Sequence, residues 1–459
     1  MPPRMPRRAS RHNCESMSLR FRLLYGLFWL LALPFALTRL WLKGRANSHY
    51  RNHWRERLAL HVPSGPFDLW IHAVSVGEAR AMMPLVEALL LAKPRVLVTC
   101  TTPTGRATAT ALLGDRATVV YLPFDAPWLI AKFLRAAQPK LALLMETELW
   151  PGVCDAAKRA GVPLWLVNAR LSERSAAGYA RGGVLTRAML ACLSGIAAQS
   201  EQHAARFRAL GANHVTVTGN MKFDMTVPTD AESRGQSLAT HLAKHRPFWV
   251  AGSTRDGEEG RLLDALLTHP LRARAVAVIV PRHPERWDAA FDEAKARGFR
   301  VARRSDAVLP VDTEVIIGNS MGEMLAYYGH ARAVVMGGTL AGTGGQNLIE
   351  PCALGVPVVL GPSVFNFQQA AHEAINAGAA VAVPHAAAAL DALLQWIDDL
   401  TARDAAGEKA RAFVAAHQGA TARTIALLKP HLIKLCRDVS EPTHTGRGSP
   451  LPAVNLQQP

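Results

Sequence analysis

Gly337-Gly338-Thr339-Leu340-Ala341-Gly342-Thr343-Gly344-Gly345-Gln346-Asn347-Leu348-Ile349-Glu350-Pro351 is the stretch that decides how this chain folds. The apolar run Ala333-Val334-Val335-Met336 leads into it, and Pro357-Val358-Val359-Leu360 follows it. Short β-branched runs on both sides predict two strands with a loop and a helix between them. Glycines let the backbone take positive φ and approach an anion closely. A helix starting after the loop turns free N–H groups and its positive dipole end towards whatever the loop holds. Asn347 is placed to cap that helix, and Glu350 reaches back or outward to a ligand hydroxyl. At the carboxyl end of a parallel sheet, this is what a nucleotide-sugar site needs.

The same alternation extends outward in both directions. Candidate strands cover 68–73, 95–99, 117–121, 141–145, 163–167, 195–198 and 215–218. After a polar stretch without clear period, they resume at 248–252, 275–280, 301, 314–317, 333–336, 358–360 and 380–383. Helical patterns lie between them, including 79–91, 105–113, 127–137, 151–160, 201–210, 258–267, 284–297, 321–329 and 370–378. Strands separated by helix-length segments build parallel sheets from βαβ units. A last helix near 405–428 is expected to pack back on the first half. The expected order is a basic extension (1–17), an anchor (18–44), a first Rossmann-like domain (45–226), a linker (227–245), a second such domain (246–430) and a disordered tail (431–459). A chain of 459 residues suits two such domains better than one core.

Composition narrows the function. The formal charge of +16 suits nucleic acid, an anionic membrane or an anionic substrate. The arginines are dispersed and no zinc-finger, RNP or basic-zipper pattern occurs, so nucleic acid is the weakest of the three. The six cysteines are far apart and form no C-x-x-C pair, which favours reduced, mostly buried thiols.

Residues 23–37 carry no charge, and Arg39 interrupts the apolar run before Leu42. That is marginal against the ~20 residues a span needs. No small-x-small cleavage site follows, and Trp29 and Trp41 suit an interface, so an uncleaved anchor is expected, spanning or interfacial. Met17 is an alternative start.

Polar motifs follow the strands in both halves. In His72-Ala73-Val74-Ser75-Val76-Gly77-Glu78, Glu78 is either a general base or a first-turn acid complementing a helix dipole. In Met145-Glu146-Thr147-Glu148-Leu149-Trp150-Pro151, the two acids share a face if the strand persists; either one of them holds a substrate group or stabilises developing positive charge, or both are ordinary helix-start acids. Asn168-Ala169-Arg170-Leu171-Ser172-Glu173-Arg174 reads as a solvated loop with local ion pairs, or as an anion site. Thr101 to Arg106 reads as a structural loop. Lys222, in Gly219-Asn220-Met221-Lys222-Phe223-Asp224, is either a surface lysine or a partner for a leaving phosphate. Arg282 follows Pro281 and suits a single phosphate, whereas His283 reads as structural. Ser320 and Glu323 have capping-box spacing, and Gly322, Glu323 and Met324 otherwise line a base or phosphate pocket.

In order, HAVSVGEARA, METELWP, NARLSERS, GNMKFD, AGSTRDGEE, PRHPER, NSMGEMLAYY and GGTLAGTGGQNLIEP resemble the 3-deoxy-D-manno-octulosonic acid (Kdo) transferases of lipopolysaccharide synthesis, over roughly residues 19–428. The resemblance implies an α/β GT-B fold: two Rossmann-like doubly wound domains facing a cleft, with an N-terminal membrane-anchor helix. It implies Kdo transfer from CMP-Kdo to a lipid A precursor (lipid IVA) by inverting displacement, with Glu78 as general base and Glu148 and Lys222 stabilising the transition state. Pro281, Arg282, Gly322, Glu323, Met324, Asn347, Leu348, Ile349 and Glu350 would hold the CMP part. No metal and no cofactor are expected, since CMP-Kdo is a substrate. The expected partners are CMP-Kdo, lipid A precursor and inner-membrane lipids, with no nucleic acid, at the cytoplasmic face of a bacterial inner membrane. Other readings are a GT-B enzyme using a UDP- or GDP-sugar, a non-catalytic binding protein, and a nucleic-acid binder.

Overall fold

The computed structural model describes residues 17–46, 48–91, 93–225, 240 and 246–440. The expected basic extension, nearly all of the expected linker and the end of the expected tail lie outside these residues. The chain forms two units, one of residues 1–221 with 419–459, the other of residues 222–418.

In the first unit β1 (Phe67–His72), β2 (Val96–Cys100), β3 (Thr118–Tyr121), β4 (Pro139–Met145), β5 (Leu164–Ala169), β6 (Gly195–Ala198) and β7 (Val215–Val217) form one parallel sheet. Their order is β3-β2-β1-β4-β5-β6-β7. The strands read as continuous apolar runs because helices cover both faces. Trp70, Leu97, Ala142 and Leu144 point to one core, and Leu69, Ile71, Val96, Leu141 and Leu143 to the other. The direction of winding reverses between β1 and β4. Ligands of doubly wound sheets bind at the carboxyl ends of the strands beside such a reversal.

The second unit repeats the design with β8 (Phe248–Thr254), β9 (Val276–Pro281), β10 (Val301–Arg303), β11 (Val315–Ile317), β12 (Val334–Met336), β13 (Val358–Leu360) and β14 (Ala380–Ala382). Their order is β10-β11-β9-β8-β12-β13-β14, all parallel, so the reversal falls between β8 and β12. Trp249, Ala251, Ala277 and Ile279 face one core and Val250, Val276, Val278 and Val280 the other. Two doubly wound sheets and an N-terminal apolar helix are the expected GT-B class.

Three helical expectations need correction. The helix expected at 79–91 is two, Val76–Ala81 and Met83–Leu90, because Pro84 has no N–H to continue the first ladder. Ser172 caps a helix, Glu173–Arg181, where a loop was expected. The last helix is also two. Leu400–His417 closes the second unit, Gly419 turns the chain at φ 91°, and Ala420–Ser440 returns to the first. The second unit therefore ends at Gln418 and not at 430, and the expected disordered tail is helical as far as Ser440.

The N-terminal helix, Leu19–Ala46, is long and apolar enough to cross a membrane, with mean hydropathy 1.7. One side rests on the first unit. Phe21 packs against its core, Trp29 meets the Phe124 ring at 5.9 Å, and the Tyr25 hydroxyl donates to Asp125 Oδ2 at 2.6 Å. Leu23, Leu24, Leu27, Phe28, Leu31 and Phe35 are exposed.

Candidate active site

The β1 and β4 loops bring three acids together at the reversal point of the first sheet. Ser75 caps the Val76–Ala81 helix, and Glu78 lies three residues on, which is capping-box spacing. The Glu78 carboxylate folds back, accepting from the Val74 N–H at 2.8 Å and from the Ser75 hydroxyl at 2.9 Å. The Thr102 hydroxyl donates to the Val74 carbonyl at 2.8 Å, and Thr102 caps the Pro103–Leu113 helix, so most of the 101–106 stretch is a helix start where a loop is expected. Glu78 is 9% exposed. Burial, then the charges of Glu146 and Glu148, push its pKa up to about 7, against the pull of the two hydrogen bonds. A carboxyl poised near neutrality is suited to take a proton from a hydroxyl.

Glu146 does not continue the strand. It takes φ 56°, an uncommon conformation for a residue with a side chain, and a turn follows. Glu146 and Glu148 therefore do not share an extended face. Glu146 is buried and pairs with Arg170 Nε at 2.8 Å, so the local ion-pair reading of Arg170 holds. Glu148 is half-buried and accepts from Trp150 Nε1 at 2.8 Å. Burial raises its pKa, with Glu146 adding to the shift. Tyr179, on the Glu173–Arg181 helix, also feels the Glu148 charge; burial pushes its hydroxyl up to about 12. Asn168 is likewise left-handed, φ 50°, and its Oδ1 accepts from the Met221 N–H at 3.0 Å.

In the second unit the predicted residues fall in two sets. Pro281 ends β9 and is buried; Arg282 follows it, exposed, with its N–H on the Thr254 carbonyl at 3.0 Å. Arg255, not singled out from the sequence, lies beside it, and its Nη1 is 2.9 Å from His283 Nε2. Partial burial and the charges of Arg255 and Arg282 lower the His283 pKa. This basic group at the ends of β8 and β9 suits an anion. Lys222 follows Met221 in a short 3-10 turn, with its Nζ 5.4 Å from the Phe367 ring centre.

The glycine loop works differently from the expectation. Buried Glu258 reaches into it and accepts from the Gly338 N–H at 2.6 Å and the Leu340 N–H at 2.9 Å. The Thr343 and Gly345 N–H groups go to the Gly338 carbonyl, and Gly344 N–H to Ser363 Oγ. The Glu258 carboxylate and the loop's own Gly338 carbonyl therefore take donors that are expected to face a phosphate. Gly337 is needed for close packing, since a Cβ there would collide with the Ser253 carbonyl. Beyond the loop, Asn347 Oδ1 accepts the first N–H of the Ile349–Ala353 helix at 3.2 Å and its Nδ2 donates to Glu350 at 3.1 Å. Leu348 and Ile349 side chains belong to the core, so only their backbone is available to a ligand.

Gly322 has φ 84°. The helix after it, Met324–His330, starts three residues later than a Ser320 cap requires, with Glu323 itself at the N-cap. The capping-box reading of Ser320 is corrected accordingly: its hydroxyl contacts the Glu323 carboxylate, which also pairs with Arg304 at 3.3 Å. Among the described residues no group of three or more His, Cys, Asp and Glu is placed to hold a metal ion. Cys100, Cys154, Cys192 and Cys352 are buried free thiols.

Residues 52–225 match the 3-Deoxy-D-manno-octulosonic-acid transferase (kdotransferase) family. A 3-deoxy-D-manno-octulosonic acid transferase of Bordetella pertussis is 42% identical over 375 residues, 79% of this chain and 87% of its own. One from Haemophilus influenzae is 34% identical over 425 residues, 90% of this chain and 99% of its own. Among solved structures, a UDP-GlcNAc 2-epimerase from Neisseria meningitidis has a similar fold, with a TM-score of 0.55 at 14% identity over 80% of this chain and 99% of that one.

Proposed function

Because the chain belongs to the 3-deoxy-D-manno-octulosonic acid (Kdo) transferase family, we propose that this Kdo transferase of lipopolysaccharide biosynthesis takes its sugar from CMP-Kdo and delivers it to a lipid A precursor, lipid IVA, with Glu78 as general base. The observation that carries the reading is Glu78 itself. It is a buried carboxyl at the reversal point of the first sheet, raised to about 7 beside two further acids.

In the proposed step the Glu78 carboxylate takes the proton of the acceptor hydroxyl. That oxygen bonds to the anomeric carbon while the bond from this carbon to the CMP phosphate oxygen breaks. CMP leaves with the electron pair, and attack opposite to it inverts the centre. Glu148 stabilises positive charge developing on the sugar, and Lys222 the negative charge on the leaving phosphate. Pro281, Arg282, the Gly322-Glu323-Met324 segment and the Asn347-Leu348-Ile349-Glu350 segment hold CMP, with Arg255 as an added phosphate partner. No metal and no separate cofactor enter this scheme. Since the glycine loop spends many N–H groups on Glu258 and on itself, the arginines carry more of the phosphate recognition than the sequence suggests.

The Leu19–Ala46 helix, with its exposed leucines and the basic residues Arg39, Lys43 and Arg45, would hold the enzyme at the cytoplasmic face of the inner membrane, where a lipid acceptor is presented. The test is transfer from CMP-Kdo to lipid A precursor, followed by mass, for the parent and for Glu78→Ala. Product from the parent and none from a folded variant supports the reading. A folded parent that ignores CMP-Kdo but turns over a UDP-sugar refutes it.

A further inference from the structure

Asp125 is a buried carboxylate that the transfer scheme leaves unused. It accepts three hydrogen bonds. Oδ2 takes the Tyr25 hydroxyl at 2.6 Å and the Gly152 N–H at 2.8 Å; Oδ1 takes the Val153 N–H at 2.8 Å. Gly152 and Val153 are in the first turn of the Pro151–Arg159 helix, whose N-cap residue Trp150 offers no side-chain cap. Asp125 thus supplies, from a loop far away in sequence, the anionic cap that the helix lacks. The approach is close enough that a Cβ at Gly152 would collide with the Asp125 carbonyl.

Trp150 is also the residue whose Nε1 holds Glu148. A continuous chain of contacts therefore runs from the N-terminal helix to the acid cluster: Tyr25, Asp125, the first turn of the Pro151–Arg159 helix, Trp150 and Glu148. Burial pushes Asp125 up to about 7, against the pull of its three donors, so the carboxylate depends on them to stay charged.

We propose that the N-terminal helix positions the catalytic acids as well as holding the enzyme at the membrane, with Tyr25 and Asp125 as positioning residues for Glu148. This rests on the reading of Glu78 as base beside Glu148. Loss of the Tyr25 hydroxyl lets Asp125 turn, loosens the start of the helix and releases Glu148. The groups facing Glu78 are Glu146, whose charge Arg170 balances, Glu148, and the buried Cys100. Weakening the contribution of Glu148 lowers the pKa of Glu78.

The experiment uses the full chain on vesicles carrying lipid A precursor, with CMP-Kdo, for the parent, Tyr25→Phe, Asp125→Asn and Glu148→Gln. The expected result for Tyr25→Phe is unchanged vesicle binding and acceptor KM, with kcat lower by about tenfold, the size of one charge-assisted hydrogen bond. The acidic limb of its pH profile should move to lower pH, as it should in Glu148→Gln. Asp125→Asn should show the same shift more strongly, with CMP-Kdo affinity reporting that the protein is folded. A raised acceptor KM with unchanged kcat, or a limb that stays in place in Tyr25→Phe and Asp125→Asn while Glu148→Gln moves it, overturns the proposal and leaves the base assignment intact. A parent with no acidic limb near neutrality, indifferent to Glu148→Gln, refutes the base assignment itself.

Discussion

Replacing Glu78 by glutamine should destroy activity and stabilise the protein, and the second effect has a calculable pH dependence. The Glu78 pKa rises from 4.5 to about 7 on folding, chiefly because the charged form is buried. The folded state holds the proton more tightly than the unfolded chain does. The parent therefore loses stability as pH rises through this window, and the loss is complete above the folded pKa. At ~1.4 kcal/mol per unit the shift costs about 3 kcal/mol once the group is ionised in the fold. Glu78→Gln keeps an acceptor for the Val74 N–H and cannot ionise. Its stability relative to the parent should therefore grow by roughly 2–3 kcal/mol between about pH 5 and about pH 8. Any constant difference in packing cancels from that comparison. Urea unfolding of both proteins in the same detergent at the two pH values measures it. Transfer should fall by about 10²–10⁴-fold, the usual worth of a general base. A stability gap that does not change with pH would refute the account of Glu78 as a carboxyl charged at a cost for function.

Other perturbations address the second unit and the N-terminal helix. Arg255→Ala and Arg282→Ala should each raise the KM for CMP-Kdo by about tenfold or more, as loss of a charge-assisted contact does, with the acceptor KM unchanged. Equal effects on both substrates would count against a phosphate role. Glu258→Gln keeps one strong acceptor where the loop presents two N–H donors, so it should cost about 1–3 kcal/mol in thermal or urea unfolding. Wild-type stability in that variant would show that the loop does not depend on the Glu258 carboxylate. Introducing aspartate at both Leu27 and Leu31, on the exposed side of the N-terminal helix, should abolish vesicle flotation, since each charge costs about 3 kcal/mol in a bilayer core. Undiminished flotation would show that other parts of the chain hold the membrane.

The fold was largely legible because strands buried on both sides leave a strong signal. Runs such as Leu141 to Met145 and Val276 to Val280 are apolar at every position, and helix-length segments separate them. The positions of the functional loops followed, since polar residues just after such strands have few other places to go. What stayed hidden depends on contacts between residues distant in sequence. Glu258 fills the glycine loop from 80 positions away, and no local pattern marks a carboxylate as a substitute for phosphate. Asp125 caps a helix that starts 26 residues later, so no capping pattern includes it. The left-handed conformation of Glu146 was equally hidden, because the Arg170 that pairs with its carboxylate follows a different strand. At Glu78 the capping-box geometry and the perturbed carboxyl coexist, and only burial distinguishes an ordinary helix-start acid from a base.

The return of the Ala420–Ser440 helix to the first unit gives the polypeptide an order of assembly at odds with its order of synthesis. Ala420 and Leu428 are fully buried in the first unit's core, and Arg423 Nε donates to the Thr218 carbonyl at 2.7 Å. The ribosome must therefore translate the whole second unit before it releases the last piece of the first. The unit encoded later is contiguous and completes itself earlier; the unit encoded earlier waits with an apolar furrow open. A chain truncated at 418 would carry a finished second unit and an unfinished first one, a natural substrate for chaperones. The first unit becomes whole only once residues 420–440 have been made, so quality control of this unit is coupled to translation of the entire second unit.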